Sequence, residues 1–252
     1  MSWEHILDED DYRLYRDNIS LLEDQVLNHF PEAYKTPEIL SALRRIPRHL
    51  FVNASYRYLA YTDNAFPTLS GLTTSAPSVV AEMISHLRIG RGDRVLEIGT
   101  GTGYEAAVLC EMGAKVFSVE IDKHLANTAN GILIRLGYKL NRQKEKQDKE
   151  EIRRFSNMKA LFPQRGTLNL FIGNGRYGLP EHSPFRGIIV AASIPDQRHI
   201  DHLASQLSEE GGRLVVPIGR RNEQILHIIE KKKGNVILYK VEGTTFNFIR
   251  LI

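Results

Sequence analysis

One cysteine in 252 residues is the first scarcity of this chain. Cys110 alone forms no intramolecular disulfide, which excludes a disulfide-stapled scaffold and fits a reducing compartment. Its setting, Ala106-Ala107-Val108-Leu109-Cys110, reads as a helix core and not as a nucleophile site. Charge of one sign is also scarce. The 33 Lys and Arg against 30 Asp and Glu leave +3, too little to argue for a nucleic-acid partner. No apolar run approaches the roughly 20 residues that span a bilayer. The acidic start, Glu4 and then Asp8-Glu9-Asp10-Asp11, lacks the basic and apolar regions of a secretory signal. A cytoplasmic chain without membrane contact is the expectation. There is no internal repeat and no Gly-x-Ser-x-Gly elbow. His199 and His202 stand three apart without a third ligand nearby, so no metal site is expected. No heptad or exposed apolar helix asks for a partner, so a monomer is expected.

What is present is an alternation. Residues 8–30 carry an apolar stripe of helical period, behind acids that favour a helix N-terminus. Pro31 ends that helix, and a second runs over 37–45. Beyond a loop-rich stretch to Pro67, a helix over 77–87 leads into strand 94–98, helix 103–112, strand 115–120 and helix 122–136. Strands follow at 168–172 and 187–192, then a helix near 197–208 and a strand at 213–217. The tail has apolar runs at 225–229, 236–241 and 246–251 that read as antiparallel strands. Lys231-Lys232-Lys233-Gly234 reads as an exposed hairpin turn. The pattern predicts an α/β fold, a doubly wound, mostly parallel sheet with an antiparallel C-terminal edge and N-terminal helices. Residues 1–76 would be a helical and substrate-loop region, and 77–252 the main domain. A charged insertion at about 139–165 interrupts it. Its Glu145–Lys149 and Glu150–Arg154 spacings favour a solvated helix, with a mobile loop, lid or docking arm as further readings.

The chemistry concentrates in Val95-Leu96-Glu97-Ile98-Gly99-Thr100-Gly101-Thr102-Gly103. A buried strand turns sharply there, and its glycines let backbone N–H groups approach a ligand at a helix N-terminus. The next strand ends on Glu120, where a carboxylate would meet a ribose diol. Gly-x-Gly-x-Gly spacing with an acid at Glu97 suits a cationic nucleoside better than a pyrophosphate. S-adenosylmethionine, with its sulfonium, ammonium and ribose, is the natural candidate.

Several segments together resemble the protein-L-isoaspartate O-methyltransferases. They include Arg45 to Val52, Ala60-Tyr61, Ala65-Phe66-Pro67, Gly71-Leu72-Thr73-Thr74-Ser75-Ala76-Pro77, the glycine loop with Tyr104, and Gly173-Asn174-Gly175. Ser183-Pro184-Phe185, Gln206-Leu207 and Gly211 to Gly219 continue the series, so that the matches run in order from about residue 38 to 250. The glycine loop is common to many methyltransferases. The Thr-x-Ser-x-Pro segment and the Pro217-Ile218-Gly219 strand end are more specific.

The resemblance implies a Rossmann-like methyltransferase that moves a methyl group from S-adenosylmethionine to the free carboxylate of isoaspartyl residues in damaged proteins. The ester would then collapse to a succinimide. Such a site needs positioning and desolvation more than a strong base. Ser75 would orient the acceptor carboxylate, with Thr73 shaping the same loop; Ser75 also reads as a helix N-cap ahead of Pro77. Cofactor contacts would come from Glu97, Gly99, Thr100, Gly101, Thr102, Gly103, Glu120, Ile121, Asn174 and Gly175. Departures from the family pattern fall at Leu72, Asn174, Arg186 and Phe248. They leave open a different carboxylate acceptor, on a peptide or a small molecule, or a non-catalytic paralogue.

Overall fold

A computed structural model describes residues 3–68, 71–140, 153–159, 166–195, 200–220, 223–241, 248 and 250–251. Helix α1 (Glu9–His29) starts as the acidic run predicts, with the Asp8 side chain accepting from Asp11 N at 2.9 Å. Asp11 does more than favour a dipole. It is buried, and it pairs with Arg57 and Arg135 and lies 3.2 Å from His49 Nε2, which fastens α1 to segments far along the chain. Burial pushes the His49 pKa down to about 4 in spite of Asp11. Helix α2 (Pro37–Arg44) follows, and a short antiparallel pair, β1 (Phe66–Pro67) and β2 (Thr73–Thr74), leads to α3 (Pro77–Leu87).

The alternation then proceeds through β3 (Arg94–Ile98), α4 (Tyr104–Glu111), β4 (Lys115–Glu120) and α5 (Lys123–Arg135). Next come β5 (Lys139–Leu140), β6 (Arg153–Lys159), β7 (Thr167–Ile172), β8 (Gly187–Val190), α6 (Asp201–Ala204), β9 (Glu210–Ile218), β10 (Ile225–Lys232) and β11 (Asn235–Lys240). One sheet has the order β11-β10-β9-β8-β3-β4-β7-β6-β5. Its centre, β9-β8-β3-β4-β7, is parallel, and β10 and β11 form the expected antiparallel edge. The chain winds outward from β3 through β4 to β7, then returns to β8 on the other side of β3. The connections leaving the carboxyl ends of β3 and β8 therefore run in opposite directions, which is where doubly wound sheets open a crevice for ligands.

Strand alternation divides the core in two. Val95, Val116 and Ile189 face the α1–α5 side, while Leu96, Phe117 and Ile188 face the other. Every residue of α4 is buried, including Cys110, in keeping with its reading as core. Full burial of side chains such as Val108 and Leu109 stabilises the fold by about 1.5–3 kcal/mol each.

Four expectations change. The flanks of the charged insertion are strands, with Lys139↔Lys159 and Leu140↔Met158 pairing antiparallel and β6 pairing with β7. Arg154 is therefore in a strand and cannot complete a helical pair with Glu150. Residues 141–152 and 160–165 lie outside the described residues. The helix near 197–208 is only one turn, α6, with 196–199 outside the described residues. The strand expected at 187–192 ends at Val190, and Ser193 and Ile194 continue as single bridges. In the tail, Arg250 bridges Ser193 in parallel, not antiparallel, so the last apolar run crosses the end of β8. The lysine-rich turn is as expected, with positive φ at Lys233 (51°) and Gly234 (79°) between β10 and β11.

Candidate active site

The turn after β3 is built on alternating positive φ: Gly99 at 96°, Gly101 at 56° and Gly103 at 92°. Side-chain-bearing residues rarely adopt this conformation, so the spacing follows from backbone geometry. A Cβ on Gly101 would meet nothing within 4 Å, which leaves that peptide open toward a ligand. A Cβ on Gly103 would press on Ala129 Cβ at 3.2 Å. The second glycine thus serves approach, and the third serves packing of α4 on α5.

Glu120 closes the loop from the end of β4. Its carboxylate accepts from Gly101 N at 2.7 Å and from Asp122 N at 2.9 Å. Burial raises its pKa against the opposing pull of those N–H groups. Each carboxylate oxygen retains acceptor capacity for a diol. Glu97 has a different position from the one its sequence suggests. It lies beneath the loop, fully buried, and accepts from the Ser118 hydroxyl, which also bonds Thr100. Burial and then the nearby Glu105 push its pKa well above the usual carboxylate range. Glu97 thus supports the turn from below through Ser118 and Thr100 and is not part of the cavity lining.

The opposite wall is the Leu72–Ser75 segment, carried on β2. Arg48, which is fully buried, holds it in place. Its guanidinium donates to Ala60 O, Thr62 O (3.3 Å), Asn64 O (2.8 Å) and Ser75 O (3.1 Å), between the Phe66 and Tyr104 rings. Desolvation pulls its pKa down. Ser75 is not the N-cap of α3; Ala76 holds that place without a side-chain bond. Asp63 does the capping from a distance, accepting from Ser78 N at 2.8 Å. The Ser75 hydroxyl is thereby left for a ligand.

These walls line a cavity of about 140 Å³ that opens to solvent. Thr73, Ser75, Gly99, Thr100, Gly101, Thr102, Glu120, Ile121, Asn174 and Gly175 all line it, so the structure brings ten of the twelve expected site residues together. Glu97 and Gly103 lie outside the lining, for the reasons above. Asn174 Oδ1 already accepts from Arg176 N at 2.9 Å and keeps one lone pair for a further donor.

Sequence reasoning missed Tyr104, Glu105, Arg250 and Leu251, which also line the cavity. Tyr104 and Glu105 fall in a run that reads as plain helix core. Yet the Tyr104 hydroxyl and Glu105 Oε1 are buried without a hydrogen-bond partner among the described residues. Burial raises both pKa values, that of Glu105 to about 8. No group of three or more His, Cys, Asp or Glu among the described residues could hold a metal ion. His202 is on α6, and His199 lies outside the described residues.

The donor set fits S-adenosylmethionine. Glu120 would hold the ribose hydroxyls, the Gly101 backbone would lie against the ligand with no side chain between them, and Asn174 would lie beside the base. Tyr104 and Glu105, whose buried polar atoms lack partners among the described residues, line the same cavity.

Comparison with known proteins agrees with this geometry. Residues 23–251 match the sequence model of the family described as protein-L-isoaspartate(D-aspartate) O-methyltransferase. A protein-L-isoaspartate O-methyltransferase of Flavobacterium psychrophilum is 38% identical over 214 residues, 85% of each chain. One from Methanoculleus marisnigri is 37% identical over 210 residues, 82% of this chain and 81% of its own. Among solved structures, a protein-L-isoaspartate O-methyltransferase superposes with a TM-score of 0.66 at 26% identity. That match covers 90% of this chain and 65% of the other. A Plasmodium falciparum structure, titled as a putative member in complex with S-adenosyl-L-homocysteine, shares the fold at a TM-score of 0.65 and 20% identity, covering 93% and 98%. With the glycine loop, the Glu120 latch and the Thr73–Ser75 wall in one cavity, this chain belongs to the protein-L-isoaspartate O-methyltransferase family.

Proposed function

We propose that this chain transfers a methyl group from S-adenosylmethionine to the free carboxylate of isoaspartyl residues in proteins and peptides. The observation that carries the reading is one cavity lined together by Thr73, Ser75, Gly99 to Thr102 and Glu120. When bound, the cofactor supplies a methyl group already activated by its sulfonium. Glu120 and the turn would fix its position, while Ser75, with Thr73 beside it, would orient the acceptor carboxylate for in-line attack. One acceptor oxygen would take the methyl group, with the electron pair of the broken carbon–sulfur bond left on sulfur. The carboxylate is ionised at neutral pH, so no proton moves and no strong base is needed. Catalysis then comes from proximity and partial exclusion of water.

The reading extends to isoaspartyl proteins as partners, a monomeric state and a reducing, cytoplasmic setting. No helix of the described residues is long and apolar enough to cross a membrane. The test is methyl transfer from labelled S-adenosylmethionine to an isoaspartyl peptide and its aspartyl twin. Selective labelling of the isoaspartyl peptide, with methanol released in mild base, is the expected result. Equal labelling of both, or none with cofactor bound, refutes the reading.

A further inference from the structure

We propose that Arg250 is a specificity residue of the acceptor site, selecting acceptors that carry a second carboxylate beside the one methylated. The proposal rests on the methyl-transfer reading above. Arg250 lines the same cavity as Thr73, Ser75 and Glu120, and it is the one basic side chain among the described lining residues. It is exposed, and its guanidinium has no hydrogen-bond or ion-pair partner among the described residues. Arg48, behind the opposite wall, is by contrast consumed by backbone carbonyls.

The backbone that presents Arg250 is anchored. Arg250 bridges Ser193, and Leu251 N donates to Ser193 O at 2.8 Å. Gln224, which is buried, clamps Phe248 through both backbone groups, with Nε2 donating to Phe248 O at 2.9 Å and Oε1 accepting from Phe248 N. A cation is therefore held at the rim of the cavity by fixed backbone.

The reaction indicates which anion it serves. Methyl transfer converts the reacting carboxylate into a neutral ester. A guanidinium on that group would stabilise the reactant more than the transition state and slow the step. The Thr73 and Ser75 hydroxyls orient it without that effect. At the rim, Arg250 acts best on a group that keeps its charge throughout, and its planar fork matches a carboxylate through two parallel hydrogen bonds. That group is a neighbouring acidic side chain or a chain-terminal carboxylate of the acceptor.

The test uses isoaspartyl peptides that differ at one place. One pair carries Glu or Gln beside the isoaspartyl residue, and a second, Gln-bearing pair ends close by in a free or an amidated carboxylate. For the full chain, kcat/KM should favour the extra carboxylate by about fivefold, the scale of a partly exposed ion pair, with the effect in KM. Added salt should shrink it. The ratio should fall to near one in Arg250→Gln, drop below one in Arg250→Glu and survive in part in Arg250→Lys. Which pair responds tells the side-chain source from the terminal one. A ratio near one in both pairs for the unaltered chain overturns the proposal, as does an equal loss on all peptides in Arg250→Gln. A fall in S-adenosylhomocysteine affinity in that variant also overturns it, because Arg250 would then serve the cofactor. Absence of turnover on every peptide overturns the methyl-transfer reading itself, and this proposal with it.

Discussion

Glu105 burdens the folded state with an acid it cannot comfortably ionise, and replacing it with glutamine should remove that burden. The side chain is buried at the cavity wall with Oε1 unpartnered, and burial raises its pKa from 4.5 to about 8. Between these values the unfolded chain has already lost the proton that the folded chain keeps. Folding is then favoured fully below pH 4.5, and the advantage is lost as pH rises toward 8. At about 1.4 kcal/mol per pH unit, the loss is about 3 kcal/mol by pH 7 and about 5 kcal/mol by pH 8. Glutamine has the same shape and no proton to lose. In urea denaturation of the cofactor-free protein, Glu105→Gln and the parent should have similar stability at pH 4.5. The variant should then gain by these amounts as pH rises. A gap that stays constant with pH, or that widens in favour of the parent, would refute the reasoning and place Glu105 in a polar environment.

Three further substitutions probe the two walls. Ser75→Ala should lower kcat at least tenfold, about 1.4 kcal/mol or more in the transition state, with cofactor affinity unchanged by calorimetry; equal losses in both would remove its orienting role. Glu120→Gln should weaken S-adenosylhomocysteine binding by about 1.5–3 kcal/mol, the scale of hydrogen bonds to a charged group, and unchanged affinity would take Glu120 out of the site. Arg48→Met should cost about 3 kcal/mol or more in urea denaturation, because the carbonyls of Ala60, Asn64 and Ser75 lose a charged donor. A cost below about 1 kcal/mol would mean that water replaces it.

The parallel core was legible because β3 and β4 are apolar runs with sharp ends, one at the glycines and one at Glu120. Their boundaries, Arg94–Ile98 and Lys115–Glu120, are those the pattern predicts. The outer strands β5 and β6 were not legible. A charged edge strand needs no apolar alternation, since pairing with β7 supplies its backbone bonds. Glu97 was misplaced for a related reason. An acid in a buried strand shows no face in the sequence, and only the register against Ser118 reveals that it points away from the ligand. Ser75 looked like a cap because capping is read locally, whereas Asp63 reaches Ser78 from 15 positions away. Arg250 joins the cavity only because the tail returns across the end of β8, a contact of 57 positions that no short motif carries.

The two halves of the site are supported in unequal ways. The cofactor half is a continuation of the central strands and is held by the whole sheet. The acceptor half rests on the short β1–β2 pair and on one guanidinium, whose donors collect carbonyls at residues 60, 62, 64 and 75. Damage to the N-terminal layer would therefore reach the acceptor wall first, through Arg48, while the nucleoside cradle kept its shape. A preparation could then bind cofactor normally and yet transfer no methyl group, so that binding alone is an insufficient measure of intact enzyme.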